Sequence, residues 1–308
     1  MNELELIEQL TRKLPKGSST VTGPGDDCAV LDLGLKDEFV LFKTDAVVES
    51  IHFTLADAPE KVGHKAMARC LSDVAAMGGA PKSCLVTLAL PRKFEADYIQ
   101  QLMAGIAGTA QRYGADVSGG ETTANAGGIL VSVALLGTVP RSRCILRSGA
   151  RPGDAIFVTG ELGGSISGWH LEFEPRIEQG QWLTSHFTVH AMIDVSDGIA
   201  TDLRHIITAS GVGAELHGKA IPISRAARSQ ARAESKPPLL AALTDGEDFE
   251  LLFTVRSLDA VSLLDAWKAR FPKLRLSCIG KIVAGSSLKL HDQHGVRELR
   301  ARGYVHFD

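Results

Sequence analysis

Apolar positions along this 308-residue chain follow two rhythms. Runs rich in β-branched and aromatic residues at Phe39–Phe42, Leu85–Leu90 and Ile129–Leu136 read as strands, and Pro59–Met77 and Glu95–Tyr113 read as helices. This is an α/β alternation. After Gly137 the stretch TVPRSRCILRSGARPGD is rich in turn formers and arginine, which predicts a boundary between a first domain over 1–138 and a second over 139–308. The second half is expected to start with a strand at Ala155–Thr159. A strand ending near Asp194, a helix over Gly198–Ala209, strands near Gly213–Leu216 and Phe249–Val255, and a helix near Leu258–Phe271 should follow. The opening MNELELIEQLTRKL reads as an amphipathic helix, and Ser224–Pro238 as an exposed helix or loop whose charges form a solvated face.

Composition narrows the function. Apolar residues make up 44% and charged ones 22%, which fits an ordinary globular chain and excludes a disordered one. The 33 Lys and Arg against 36 Asp and Glu give a net charge of −3, which argues against a nucleic-acid scaffold. Five cysteines without a CxxC pair indicate neither a disulfide framework nor a zinc knuckle, so a reducing cytoplasmic setting is expected. No signal peptide is legible, and no run reaches the roughly 20 apolar residues of a membrane span.

Carboxylates recur beside glycines and hydroxyls: GPGDD ending at Asp27, KTD at Asp45, LSD at Asp73, GGE at Glu121, DVSDG over Asp194–Gly198, and DGEDFE over Asp245–Glu250. Many hard oxygen donors of this kind suit divalent ions such as Mg²⁺, which usually reach enzymes bound to substrate phosphates. Asp73 falls on the apolar stripe Val62, Ala66, Cys70 and Met77 of its helix, so it needs a metal, an Arg or Lys partner, or a stripe edge facing water. GPGDD lies at the mouth of a strand and is either a ligand site or a Gly-Asp turn. Asp45 is expected to end its strand, beside the Thr44 hydroxyl. Asp197 could be a simple helix cap, a role that leaves Asp194 unexplained, while Asp202, deeper in that helix, reads as surface charge. His52, Arg147 and Tyr304 each suit a phosphate or a ring but have structural alternatives. No P-loop, protein-kinase motif set or GxSxG elbow is present, so the residues alone describe an enzyme of metal-bound phosphates.

Taken in order, GDDCAVL, TDxxVExxHF, LSDxAAMGxxP, GGxTT, RSGxxPGD, TGxLGxS, DxSDG and GEDFELLF resemble the thiamine-monophosphate kinase family of the aminoimidazole-ribonucleotide synthetase-like superfamily. The resemblance implies a two-domain fold, α/β then α+β, with the N-terminal sheet pairing across a homodimer. It implies ATP-dependent phosphorylation of thiamine monophosphate to thiamine diphosphate with several Mg²⁺ ions, in the cytoplasm. By motif position Asp27, Thr44, Asp45, Asp73, Glu121, Asp194 and Asp197 correspond to metal ligands. Gly120, Glu121, Arg147 and Ser196 correspond to ATP contacts, and His52, Glu247 and Tyr304 to substrate contacts. No general base is expected, because the acceptor phosphate oxygen is already anionic.

The chain departs from this pattern in places. Lys43 stands where the family usually has Ser or Thr, Glu121 where it has Asp, and Ser50 and Asp245 where it has glycine. A longer helical insertion is common in the family between positions matching Ser167 and Pro175, and here it is short. These departures keep two alternatives open: another ATP-using synthetase of the superfamily, or a non-catalytic relative that binds nucleotide and metal.

Overall fold

A computed structural model of the chain describes residues 3–15, 17–234, 236–293, 295–301 and 303–304. Met1 and Asn2 of the expected first helix and Ser235 of the 224–238 stretch lie outside these residues. Helix α1 (Glu3–Thr11) precedes a six-stranded sheet of β1 (Thr20–Thr22), β2 (Ala29–Leu31), β3 (Glu38–Val48), β4 (Ala80–Leu90), β5 (Asp116–Ala124) and β6 (Leu130–Pro140). Their order is β1-β2-β3-β6-β4-β5. β3 and β4 each run antiparallel to β6, and β4 runs parallel to the edge strand β5. Helices α2 (Pro59–Ala76) and α3 (Ala96–Arg112) make the two crossovers.

Helix α2 is buried around most of its circumference. Val62, Met67, Leu71 and Val74 are fully enclosed, each worth about 1.5–3 kcal/mol of apolar burial. One face packs on the first sheet and another meets the second half of the chain, where Gly180 of α4 (Ile177–His186) approaches the Ala75 carbonyl so closely that a Cβ would collide with it.

The second sheet holds β7 (Asp154–Thr159), β8 (Val189–Asp194), β9 (Gly213–His217), β10 (Leu251–Arg256), β11 (Leu276–Val283), β12 (Leu288–Asp292) and β13 (Gly295–Glu298), in the order β13-β12-β9-β11-β7-β10-β8. Its helices are α5 (Ile199–Ser210), α6 (Arg225–Glu234), α7 (Pro238–Thr244) and α8 (Ala260–Arg270). Both sheets mix parallel and antiparallel pairs. No helix among the described residues is long and apolar enough to cross a membrane.

The expected elements occur with shifted ends. β3 pairs with β6 without interruption to Val48↔Leu130, so Asp45 lies inside the strand rather than at its end. β10 begins at Leu251, not Phe249, because Phe249 has φ 52° and leaves the extended region. The 167–175 segment forms no long helix. It makes one-turn 3₁₀ pieces at Ser165–Ser167 and Trp169–Leu171, then buries Phe173 against Phe249 with ring centroids 3.9 Å apart.

Candidate active site

Strand β3 and helix α2 bring side chains to one cleft by their different periods. On β3, Lys43 and Asp45 are two residues apart and share the face toward α2; Thr44 points the other way, its hydroxyl 3.3 Å from that of Ser132. On α2, Lys65, Arg69 and Asp73 recur every four residues on one stripe. Their charges meet the strand's: Lys43 Nζ lies 2.9 Å from Asp73 Oδ1, and Arg69 lies 3.1 Å from Asp45 Oδ1. A cleft of about 300 Å³ opens over these groups and is lined also by His52, Arg147, Asp194, Ser196, Asp197, Glu247 and Tyr304.

At the floor, ligand oxygens of Asp27, Asp73 and Asp194 lie within 4.8 Å of one another. Three separate segments supply them. Asp27 comes from the GPGDD turn, which is tied down because the Asp26 carboxylate accepts the Arg147 backbone N–H at 3.1 Å. Asp194 ends β8, and Ser72 donates a 2.6 Å hydrogen bond to it. Arg147 donates to Asp27 Oδ1 at 2.7 Å, whereas Asp27 Oδ2 is buried without a hydrogen-bond partner among the described residues. A vacant buried carboxylate oxygen within a set of oxygen donors fits a hard divalent cation.

Charge is crowded here. Burial pushes Asp194 up to about 6, with Asp27 adding to the rise. Burial also raises Asp73 well above the carboxylate range, more than the Lys43 ammonium lowers it. Burial raises Asp45 too, but Arg69 and Lys43 outweigh it and hold it below its usual value. For Lys43 burial works against the ammonium, yet Asp73 and Asp45 more than compensate and its pKa rises. The shifts thus divide: burial favours the protonated forms of Asp73 and Asp194, while Arg69 and Lys43 favour the charged form of Asp45.

The remaining candidates divide. His52 has its Nδ1 accepting the Val48 N–H at 3.1 Å, which anchors the loop after β3, and its carbonyl accepts from Lys65 at 2.8 Å. Glu247 takes Lys65 at 2.8 Å and Arg69 at 3.3 Å. It stands in the left-handed region at φ 54°, held by its N–H donating to the Ser196 carbonyl at 2.7 Å. Tyr304 N–H donates to the Asp197 carbonyl at 3.1 Å, placing the end of the described chain on the DVSDG turn. Gly120 and Glu121 are not in this cleft. They lie on β5, reached from Asp45 through Val133, Val86 and Gly120, three strand spacings or about 14 Å away.

Some residues correct or extend the sequence reading. Asp202 is not surface charge: it is 1% exposed, its carboxylate accepts the Asp197 N–H at 3.2 Å, and burial, then Asp197 and Asp194, raise it well above the carboxylate range. Its spacing explains this, since Ile199, Leu203 and Ile206 form the buried stripe of α5 and Asp202 sits among them. Asp197 does not cap α5, whose N-cap is Gly198 with no side-chain bond. Lys65 and Arg69 were missed, although their four-residue spacing from Asp73 was a signal. Ser50 takes φ 66°, the conformation the family's glycine would adopt freely. Asp245 is held by Lys236 at 2.5 Å and accepts the Gly164 N–H at 3.0 Å.

Residues 25–139 match the family model described as AIR synthase related protein, N-terminal domain. A thiamine-monophosphate kinase of Rhodopirellula baltica is 40% identical over 292 residues, covering 92% of this chain and 90% of its own. That of Bacillus subtilis is 33% identical over the full length of both. The chain belongs to the thiamine-monophosphate kinase family. A solved structure described as AaThiL complexed with AMPPCP and TMP superposes at a TM-score of 0.84 with 30% identity, covering 99% of this chain and 97% of that one. The fold is thus the two-domain arrangement of this kinase family. HypE, a hydrogenase maturation protein of E. coli, shares that fold at a TM-score of 0.73 and 20% identity.

Proposed function

We propose that the cleft between β3, α2 and β8 transfers the γ-phosphoryl group of ATP directly to thiamine monophosphate, giving thiamine diphosphate. The observation that carries this reading is the buried Asp27, Asp73 and Asp194 set, with its unpartnered Asp27 oxygen, on the floor of a cleft where cationic and hydroxyl side chains also converge. Asp27, Asp73, Asp194 and, beside them, Asp45 and Asp197 would hold Mg²⁺. When bound, the ions supply positive charge opposite the donor and acceptor phosphates, whose mutual repulsion is the main barrier to alignment.

The chain's own groups do the positioning. Arg147 presents a planar fork suited to phosphate oxygens, and Ser196 offers a hydroxyl in the same cleft. Glu247, His52 and Tyr304 line the same cleft, where an acceptor with a cationic ring system would meet a carboxylate and an aromatic face. Lys65 and Arg69 fix Glu247 from beneath. The acceptor oxygen is already anionic, so no side chain is assigned as general base, and no phosphoenzyme is needed.

The working unit in this reading is a homodimer joined through the first sheets, with the chain dividing into functional units at about 138/139. The sheet face opposite α2 and α3 exposes Phe42, Leu85 and Leu136, and Phe42 pairs directly with Leu136 across strands. That apolar face suits a second copy. Gly120 and Glu121, too distant within one chain, would then reach the cleft of the partner subunit, and Thr44 would act on the same face. The test incubates purified protein with ATP, Mg²⁺ and either thiamine monophosphate or free thiamine. Thiamine diphosphate from the monophosphate alone is the expected result; ligand binding without diphosphate would overturn it.

A further inference from the structure

At the cleft floor, three of four carboxylates already face a resident cation. Arg147 stands at Asp27, Arg69 at Asp45 and Lys43 at Asp73; among the described residues the Asp194 carboxylate has only the Ser72 hydroxyl as its hydrogen-bond donor. The cations differ in how they are held. Arg147 projects from a loop, and Arg69 divides its guanidinium between Asp45 and Glu247. Lys43 is different: it stands in the middle of β3, paired with Leu135 of β6, and its Nζ is committed to Asp73 Oδ1 at 2.9 Å. An ammonium is a compact point charge with three donors, closer to a small metal ion in shape and charge placement than a guanidinium is. It also lines the same cleft as Asp45, Asp73 and Asp194, and its charge acts on both Asp45 and Asp194.

We propose that the Lys43 ammonium is a built-in cation of this cluster, standing where a divalent ion would otherwise bind, so that each active site takes up one divalent ion fewer than the same cluster with a neutral side chain at position 43. The inference rests on the metal reading given under Proposed function. Lys43 thereby acts as a positioning residue: its ammonium holds the Asp73 carboxyl group in place at 2.9 Å whether or not ions are loaded. A neutral residue there would leave Asp73 without its ammonium partner and open that position to a metal ion.

The probe is Mn²⁺, titrated at saturating AMPPCP and counted by the electron paramagnetic resonance of the free ion. Lys43→Ser and Lys43→Met should each bind one more Mn²⁺ per chain than the unaltered protein, and Lys43→Arg the same number as it. Without ions, the Met variant should melt at a lower temperature than the unaltered protein, and saturating Mn²⁺ should raise its Tm by more than it raises the unaltered protein's. Equal, non-zero Mn²⁺ counts in all four proteins would overturn the proposal and leave the metal reading intact. No Mn²⁺ bound by any of them would overturn both. Should the Ser variant fail to fold, the Met variant, which keeps the side-chain length, decides the count.

Discussion

The Ser72 hydroxyl donates a 2.6 Å hydrogen bond to Asp194, joining helix α2 of the first half to strand β8 of the second where the carboxylates converge. Both residues are buried. The bond lowers the Asp194 pKa against the rise caused by burial. Ser72→Ala removes that donor and should cost about 1–3 kcal/mol. Denaturant unfolding without divalent ions reads this directly, and an unchanged midpoint would show that the bond carries no weight.

Ion binding should release protons. Asp194 sits at about 6 because burial and Asp27 disfavour its charge. A folded pKa raised above the unfolded 3.8 contributes stability that is fully present below 3.8 and lost as pH rises through about 6. A bound cation favours the ionised form and drives the remaining proton off. Mg²⁺ binding should therefore release more protons at pH 6 than at pH 8, and the apparent affinity should fall as pH drops below about 6. Calorimetry at pH 6 in two buffers of different ionisation enthalpy gives the count; identical heats would contradict it.

Lys65 links two candidate acceptor contacts, donating to the His52 carbonyl and to Glu247, each at 2.8 Å. Its side chain is fully enclosed. Lys65→Met keeps the length and removes the charge, leaving Glu247 with Arg69 alone. The expected result is a KM for thiamine monophosphate raised about tenfold, equivalent to about 1.4 kcal/mol, with the KM for ATP little changed. Equal effects on both substrates would mean that Lys65 supports the cleft as a whole.

What the sequence disclosed and what it hid follow from how far each signal reaches. Asp73 was legible as a residue in need of a partner because an acid on an apolar stripe is a local contradiction. The identity of that partner, Lys43, was not, since it depends on strand β3 lying against α2. The same stripe rule applied to α5 would have recovered Asp202, and applied to α2 it would have recovered Lys65 and Arg69. Strand β5 escaped notice because DVSGGETTA has no apolar alternation and lies exposed except at Val117. The distance of Glu121 from Asp45 could not be read from motif order, which records sequence and not which strands are inserted between them.

Glu247 allows backbone strain at the site to be separated from its ion pairs. At φ 54° its Cβ crowds the adjacent carbonyl, a cost of about 1–2 kcal/mol for a residue other than glycine. The strain persists because Glu247 N–H is committed to the Ser196 carbonyl while its carboxylate holds Lys65 and Arg69. Glu247→Ala and Glu247→Gly lose the same ion pairs and differ only in backbone freedom. Both should therefore lose acceptor binding to a similar degree. Glycine, despite its larger unfolded-state entropy, should leave the protein more stable than alanine by about 1 kcal/mol, the reverse of their order within a helix. Unfolding of the two variants side by side reads the difference, and an alanine variant as stable as the glycine one would mean that the loop relaxes once the ion pairs are gone.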